Sequence, residues 1–128
     1  MSQSVKNIYV VDDDAMLSTM LIDFLHTKGY NPQACGTGEE CLGKLAGNQG
    51  LNIVVLDYYL NSVSKNAANG LQILEAIHEL DPDAHVIMLS SQESYGIAAR
   101  TIQKGAERYV LKGNPNAFQE IAEMIDEL

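Results

Sequence analysis

Val5-Lys6-Asn7-Ile8-Tyr9-Val10-Val11 runs directly into Asp12-Asp13-Asp14, and Ala15-Met16-Leu17-Ser18-Thr19-Met20-Leu21 follows. A short, nearly continuous apolar run reads as a parallel strand covered on both faces. Asp14 is placed to cap a helix. Met16, Leu17, Met20, Leu21, Phe24 and Leu25 then form one apolar stripe, ended by Lys28-Gly29. The reading is therefore strand, acidic turn, helix.

The same alternation recurs along the chain. Apolar runs at Val5–Val11, Tyr30–Cys35, Leu51–Leu56, His85–Leu89 and Arg108–Leu111 are each followed by a helical stretch. Thr37-Gly38-Glu39-Glu40 reads as a capping box ahead of Leu42 and Leu45. Leu71, Leu74 and Ile77 mark a third helix, stopped by Asp81-Pro82. A fourth spans roughly Glu93 to Lys104 and ends at Gly105. Asn114-Pro115 opens the last, with Phe118, Ile121, Ala122 and Ile125 as its buried side. Five strands alternating with five helices predict an α/β, doubly wound, flavodoxin-like fold: a parallel sheet of order 2-1-3-4-5 with helices on both faces. Residues 1–128 read as a single domain.

Composition narrows the function. Seventeen acidic residues against eight basic ones give a formal charge of -9. Without a basic stripe or cluster, nucleic acid and anionic membranes are not expected partners. No apolar run reaches the ~18 residues of a membrane span, and the opening residues do not form a signal peptide. Cys35 and Cys41 lack metal-ligand spacing and read as buried free thiols, so a cytoplasmic location is expected. His26 and His78 fall on helices and His85 begins a strand, which suits surface or boundary roles.

In such a sheet, chemistry gathers at the carboxyl ends of the strands. Strand 1 ends in Asp12-Asp13-Asp14, strand 3 in Asp57, strand 4 in Ser90-Ser91 and strand 5 in Lys112. Clustered carboxylates need a cation, and hard oxygen ligands suit Mg²⁺ or Mn²⁺. Lys112 can hold a phosphate oxygen and the Ser90 hydroxyl can donate to another, while the small Ser91 leaves room. Asp57, flanked in this way, is built to receive a phosphoryl group. Asp14 reads as a helix cap rather than a ligand.

These residues carry a family resemblance over essentially the whole chain. Val10-Val11-Asp12-Asp13-Asp14, Ile53-Val54-Val55-Leu56-Asp57, Val86-Ile87-Met88-Leu89-Ser90-Ser91 and Lys104-Gly105-Ala106-Glu107-Arg108-Tyr109-Val110-Leu111-Lys112 resemble the acidic, phosphoacceptor, switch and lysine motifs of the receiver domain of bacterial two-component response regulators. The whole is similar to the stand-alone chemotaxis-type receiver. The resemblance implies Asp57 as phosphoacceptor. Asp12, Asp13, Asp57 and the backbone carbonyl of Tyr59 would hold Mg²⁺. It implies phosphoryl binding by Ser90 and Lys112, and Tyr109 as an aromatic switch altering the surface of helix 4, strand 5 and helix 5. It also implies a histidine kinase or histidine phosphotransfer protein as donor and an unspecified downstream protein as target. Catalysis would be limited to the chain's own aspartyl phosphorylation and dephosphorylation. With no effector segment after Leu128, the expectation is a stand-alone receiver or one excised from a larger regulator.

The sequence departs from the family pattern in two places. Gly113 stands where the family usually has proline after the lysine, which predicts either that Lys112 is held differently or that its loop is looser. The connection from Tyr58 to Asn69 is long for a βα loop, which usually takes about 2–6 residues. It reads either as a flap that contacts a partner or as a tolerated insertion. Two rivals start from the same residues. One is a haloacid-dehalogenase-type phosphatase using Asp12 of Asp12-Asp13-Asp14 as nucleophile, although the later acids, such as Glu120 and Glu123, fall on a helix. The other is a degenerate receiver that binds partners without phosphorylation. A flavodoxin-type cofactor site is excluded because three aspartates would repel its phosphate.

By the resemblance, Tyr59 and Gln92 flank the phosphoryl group and tune its hydrolysis. Tyr59 reads either as loop packing or as a bulky group obstructing water; the second predicts slow dephosphorylation, so Tyr59→Ala is expected to shorten the phosphoaspartate lifetime. An unchanged or longer lifetime in a decay assay contradicts this.

Overall fold

The computed structural model describes residues 6–48, 50–58, 70–91 and 95–128. Among these residues strands and helices alternate: β1 Lys6–Val11, α1 Ala15–Thr27, β2 Gln33–Cys35, α2 Gly38–Leu45, β3 Leu51–Asp57, α3 Gly70–Leu80, β4 His85–Ser90, α4 Tyr95–Gln103, β5 Arg108–Leu111 and α5 Ala117–Glu127. The strands form one sheet of order β2-β1-β3-β4-β5, and every neighbouring pair is parallel. The expected order is the observed one.

The apolar runs are nearly continuous because alternate side chains enter different cores. Ile8, Val10, Ile53, Val55, Ile87 and Leu89 join Leu21 and Leu25 of α1 and Ile121 and Ile125 of α5. Tyr9, Val11, Val54, Leu56, Val86 and Met88 join Cys41 of α2 and Leu74 and Ile77 of α3. Helices thus cover both faces, and no helix among the described residues is long and apolar enough to cross a membrane.

Several boundaries differ from the sequence reading for local reasons. β2 starts at Gln33 rather than Tyr30. The Tyr30 N–H instead turns back to the Leu25 carbonyl at 3.1 Å, and Pro32 has no N–H to offer a ladder. The α1 stripe is narrower than expected: Ser18, Leu21 and Leu25 are buried, whereas Met16 and Met20 are 74% and 53% exposed. Residues two apart on a helix lie roughly 200° around its axis, so burying position 18 turns positions 16 and 20 outward. α5 starts at Ala117, not at Pro115. Asn114 caps a single preceding turn, its side chain accepting from the Asn116 N–H at 2.9 Å and its carbonyl from the Ala117 N–H at 3.0 Å. Glu93, the expected start of the fourth helix, lies outside the described residues.

Other local signals hold. The Asp14 carboxylate accepts from the Met16 and Leu17 N–H groups at 3.1 and 3.2 Å. Thr37 Oγ1 accepts from the Glu40 N–H at 3.1 Å, while Glu40 reaches back to the Gly36 N–H at 3.1 Å rather than to Thr37. α4 closes at Gly105, which takes φ +113°.

Gly70, the first residue of α3, seats that helix against the end of β3. Its N–H donates to the Tyr58 carbonyl at 2.9 Å, and a Cβ here would lie 2.6 Å from both the Asp57 carbonyl oxygen and the Tyr58 Cα. Backbone on this side cannot swing away as a side chain can. Gly70→Ala is therefore expected to destabilise the fold by about 1–3 kcal/mol through overpacking, read from denaturant midpoints. A midpoint unchanged from wild type contradicts the close approach.

Candidate functional site

The pairing register brings the site together. Val11 lies opposite both Cys35 and Leu56, so the chains leaving β1 and β3 place Asp12 and Asp57 beside each other. Asp57 lies opposite Leu89 of β4, and Ser90 lies opposite Leu111 of β5. Two backbone bonds fix the rim: the Asp12 N–H donates to the Cys35 carbonyl at 3.2 Å, and the Lys112 N–H to the Ser90 carbonyl at 2.7 Å.

Asp12, Asp13 and Asp57 each offer a carboxylate oxygen, and these atoms lie within 4.8 Å of one another; no other such group occurs among the described residues. Asp12 and Asp57 are 4% and 3% exposed, and Asp13 is half-buried. Lys112 reaches in from the end of β5, its Nζ 3.3 Å from Asp12 Oδ2 and 3.3 Å from Asp57 Oδ1. Asp14 is committed elsewhere, to the α1 N-terminus, and its own N–H donates to Asp12 Oδ1 at 2.9 Å.

The site's formal charge does not balance. Three carboxylates against one ammonium leave two negative charges in excess. Two unit charges ~4 Å apart interact by roughly 4 kcal/mol at an effective dielectric of 20, so one lysine offsets only part of the mutual repulsion. Asp12 Oδ2 is also buried without a hydrogen bond; the ammonium lies close but is not well aimed. A buried, unsatisfied carboxylate oxygen facing two more carboxylates fits a hard divalent cation. Burial works to lower the Lys112 pKa, but the negative charge of the nearby Asp57 and Asp12 carboxylates outweighs it, and the ammonium is held above its ordinary 10.5.

The remaining predicted residues are placed as follows. Ser90 is fully buried at the last position of β4, and Ser91 is exposed just beyond it. Tyr109 is half-buried on β5, against the core beneath α2 and α3. Gly113 takes no positive φ, no cis peptide occurs among the described residues, and a Cβ at Gly113 would meet nothing. The Lys112 side chain reaches both carboxylates with Gly113 beside it. Tyr59, Gln92 and the Asn61–Asn69 part of the loop lie outside the described residues. The sequence reading missed two features. One is the Gly70 contact with the Asp57 backbone, for which a glycine at the first turn of a helix after a long loop was the available signal. The other is the Cys35 carbonyl on Asp12, which left no signal.

The chain is thus a parallel doubly wound sheet with a carboxylate and lysine cluster at its carboxyl edge. The chain belongs to the response regulator receiver domain family, whose model matches residues 8–126. Accordingly it is a phosphorylation-dependent switch domain of two-component regulation. It is 26% identical over 123 residues to the DNA-binding transcriptional regulator NtrC of Azospirillum brasilense, covering 96% of this chain and 24% of that protein. It thus spans about a quarter of that relative's length. A CheY-like response regulator receiver domain protein from Methanospirillum hungatei JF-1 superposes with TM-score 0.79 at 28% identity, covering 97% of this chain and 96% of the other. The CheX-CheY-BeF3-Mg²⁺ complex from Borrelia burgdorferi matches with TM-score 0.78 at 26% identity over 95% of this chain and 89% of that one. The phosphatase alternative gains no support, and Glu120 and Glu123 lie on α5.

The raised Lys112 pKa has a direct consequence for stability. A group whose folded pKa is raised stabilises fully below its unfolded value, and that contribution is lost as pH rises through the folded value. Tyr30, pushed up to about 12 by burial and by its bond to Asp126, acts in the same direction. The comparison is therefore with Lys112→Met. The stability advantage of wild type over that variant, from urea unfolding, is expected to shrink above the ordinary 10.5. An advantage that grows there contradicts the ion-pair geometry.

Proposed function

We propose that Asp57 accepts a phosphoryl group from a phosphohistidine, supplied by a histidine kinase or histidine phosphotransfer protein, and that the chain performs no other catalysis. The observation that carries this reading is the Lys112 ammonium standing 3.3 Å from both Asp12 and Asp57 with three carboxylates gathered around one point. The CheY of the related complex was captured with BeF3 and Mg²⁺, which supports the same use of the site here. Asp12, Asp13 and Asp57 would hold Mg²⁺ or Mn²⁺, which when bound supplies the positive charge that a transferring phosphoryl group requires.

The chain's own residues do the rest. An Asp57 carboxylate oxygen attacks phosphorus, the donor's P–N bond breaks, and the leaving imidazole takes up a proton. Lys112, already beside Asp57, exchanges a carboxylate contact for a phosphoryl oxygen. Such transfer is governed by positioning and charge rather than by covalent chemistry from the protein. The Ser90 hydroxyl donates to a second phosphoryl oxygen, and Tyr109, half-buried on β5, moves into the space this opens. The surface of α4, β5 and α5 changes with it, and a downstream protein reads that surface.

Incubation with Mg²⁺ and a small acyl phosphate is expected to add one phosphoryl group by mass, stable to acid, labile to alkali and absent in Asp57→Asn. Steady turnover of phosphomonoesters requiring Asp12 would instead restore the phosphatase reading. No modification of wild type would identify an interaction module that works without phosphorylation.

A further inference from the structure

β5 ends the sheet: it is hydrogen-bonded to β4 alone, and no described strand lies beyond it. A groove follows that open edge. One part, about 170 Å³, is lined by Arg108, Tyr109 and Val110, and a second, about 220 Å³, carries it on past Glu107. Successive strand side chains point to opposite faces. A cavity touching three in a row therefore lies along the edge of β5 rather than on either face. Its other wall is α5. Glu120, Glu123, Met124 and Glu127 line it and, spaced three and four apart, share one face of that helix.

The groove is negative. α5 carries no basic residue, and Arg108 is the one base lining either part. No ion pair among the described residues involves Arg108, Glu120, Glu123 or Glu127. That charge decides what can sit there. Nucleic acid is repelled, and a second copy seated by two-fold symmetry would set the same glutamates against themselves. An open sheet edge offers backbone hydrogen bonds to an extended chain, and the glutamates select one with lysine or arginine on the α5 side. The groove also connects to the carboxylate site. Tyr109 lines it, and the Asn114 side-chain amide, on the turn after Lys112, donates to the Glu120 carboxylate.

We infer that the downstream partner docks here through a basic extended segment, which adds a strand to β5 and sets its lysine or arginine side chains against Glu120, Glu123 and Glu127. This rests on the reading of α4, β5 and α5 as the output surface and gives that surface its partner chemistry. A strand added beside the four residues of β5 spans roughly 13 Å, so alternate basic side chains reach successive turns of α5. Phosphorylation of Asp57 changes the docking through Tyr109 and through the bond from Asn114 to Glu120.

The test titrates the unphosphorylated full chain with a labelled peptide of alternating lysine and valine, and with its glutamate–valine counterpart, following anisotropy and amide spectra. The lysine peptide alone is expected to bind and to move the amide resonances of Arg108–Leu111. Its affinity is expected to fall about tenfold in the double variant Glu123→Gln, Glu127→Gln, which removes two surface ion pairs. The double variant Glu39→Gln, Glu79→Gln takes the same charge from α2 and α3 and is expected to bind like wild type. Equal losses in both variants, equal binding of the two peptides, resonance shifts that leave β5 unmoved, or no binding overturns the inference. Mg²⁺ and an acyl phosphate are then expected to change the affinity of wild type and not of Asp57→Asn. An unchanged affinity in a chain that mass shows to be phosphorylated overturns the link to the switch. A chain that binds the lysine peptide but takes up no phosphoryl group contradicts the phosphoacceptor reading and leaves the docking site standing.

Discussion

The Lys112 ammonium between the Asp12 and Asp57 carboxylates, 3.3 Å from each, is the contact on which the account of this chain depends. It ties the ends of β1, β3 and β5 together across the carboxyl edge of the sheet. A well-buried ion pair of this kind is weak evidence for stability, because desolvation offsets much of the attraction. Here the pair is also unbalanced, with a third carboxylate alongside and a buried Asp12 oxygen lacking a hydrogen bond. A site optimised for stability would not keep that excess charge, which fits a hard divalent cation.

The rest of the molecule fixes that geometry. The β1–β3 register sets Asp12 beside Asp57, the β3–β4 and β4–β5 registers bring Ser90 and Lys112 alongside, and α3 seats on the Asp57 backbone because Gly70 has no side chain. The two cores beneath make these placements rigid, since alternate residues of each strand are locked on opposite faces. Among the described residues the site is thus assembled at the carboxyl ends of the strands.

Much of this was legible in the sequence. Strand order, element types and the convergence of Asp12, Asp13, Asp57, Ser90 and Lys112 follow from apolar runs that end in chemically distinctive residues. What was not legible has specific causes. The outward turn of Met16 and Met20 depends on burying Ser18, a small polar residue that carries no hydrophobic signal. The shortness of β2 reflects a backbone bond from Tyr30 that competes with the ladder. The late start of α5 arises because Asn114 caps a separate turn first. Gly113 takes no positive φ, and Lys112 contacts both carboxylates.

The most direct test of the central claim is a calorimetric titration of Mg²⁺ into wild type and into Asp12→Asn. Binding of one ion per chain in wild type, much weaker in the variant, is the predicted result. Equal binding by both proteins, or none by either, would contradict the claim that the surplus negative charge around Lys112 exists to hold a cation.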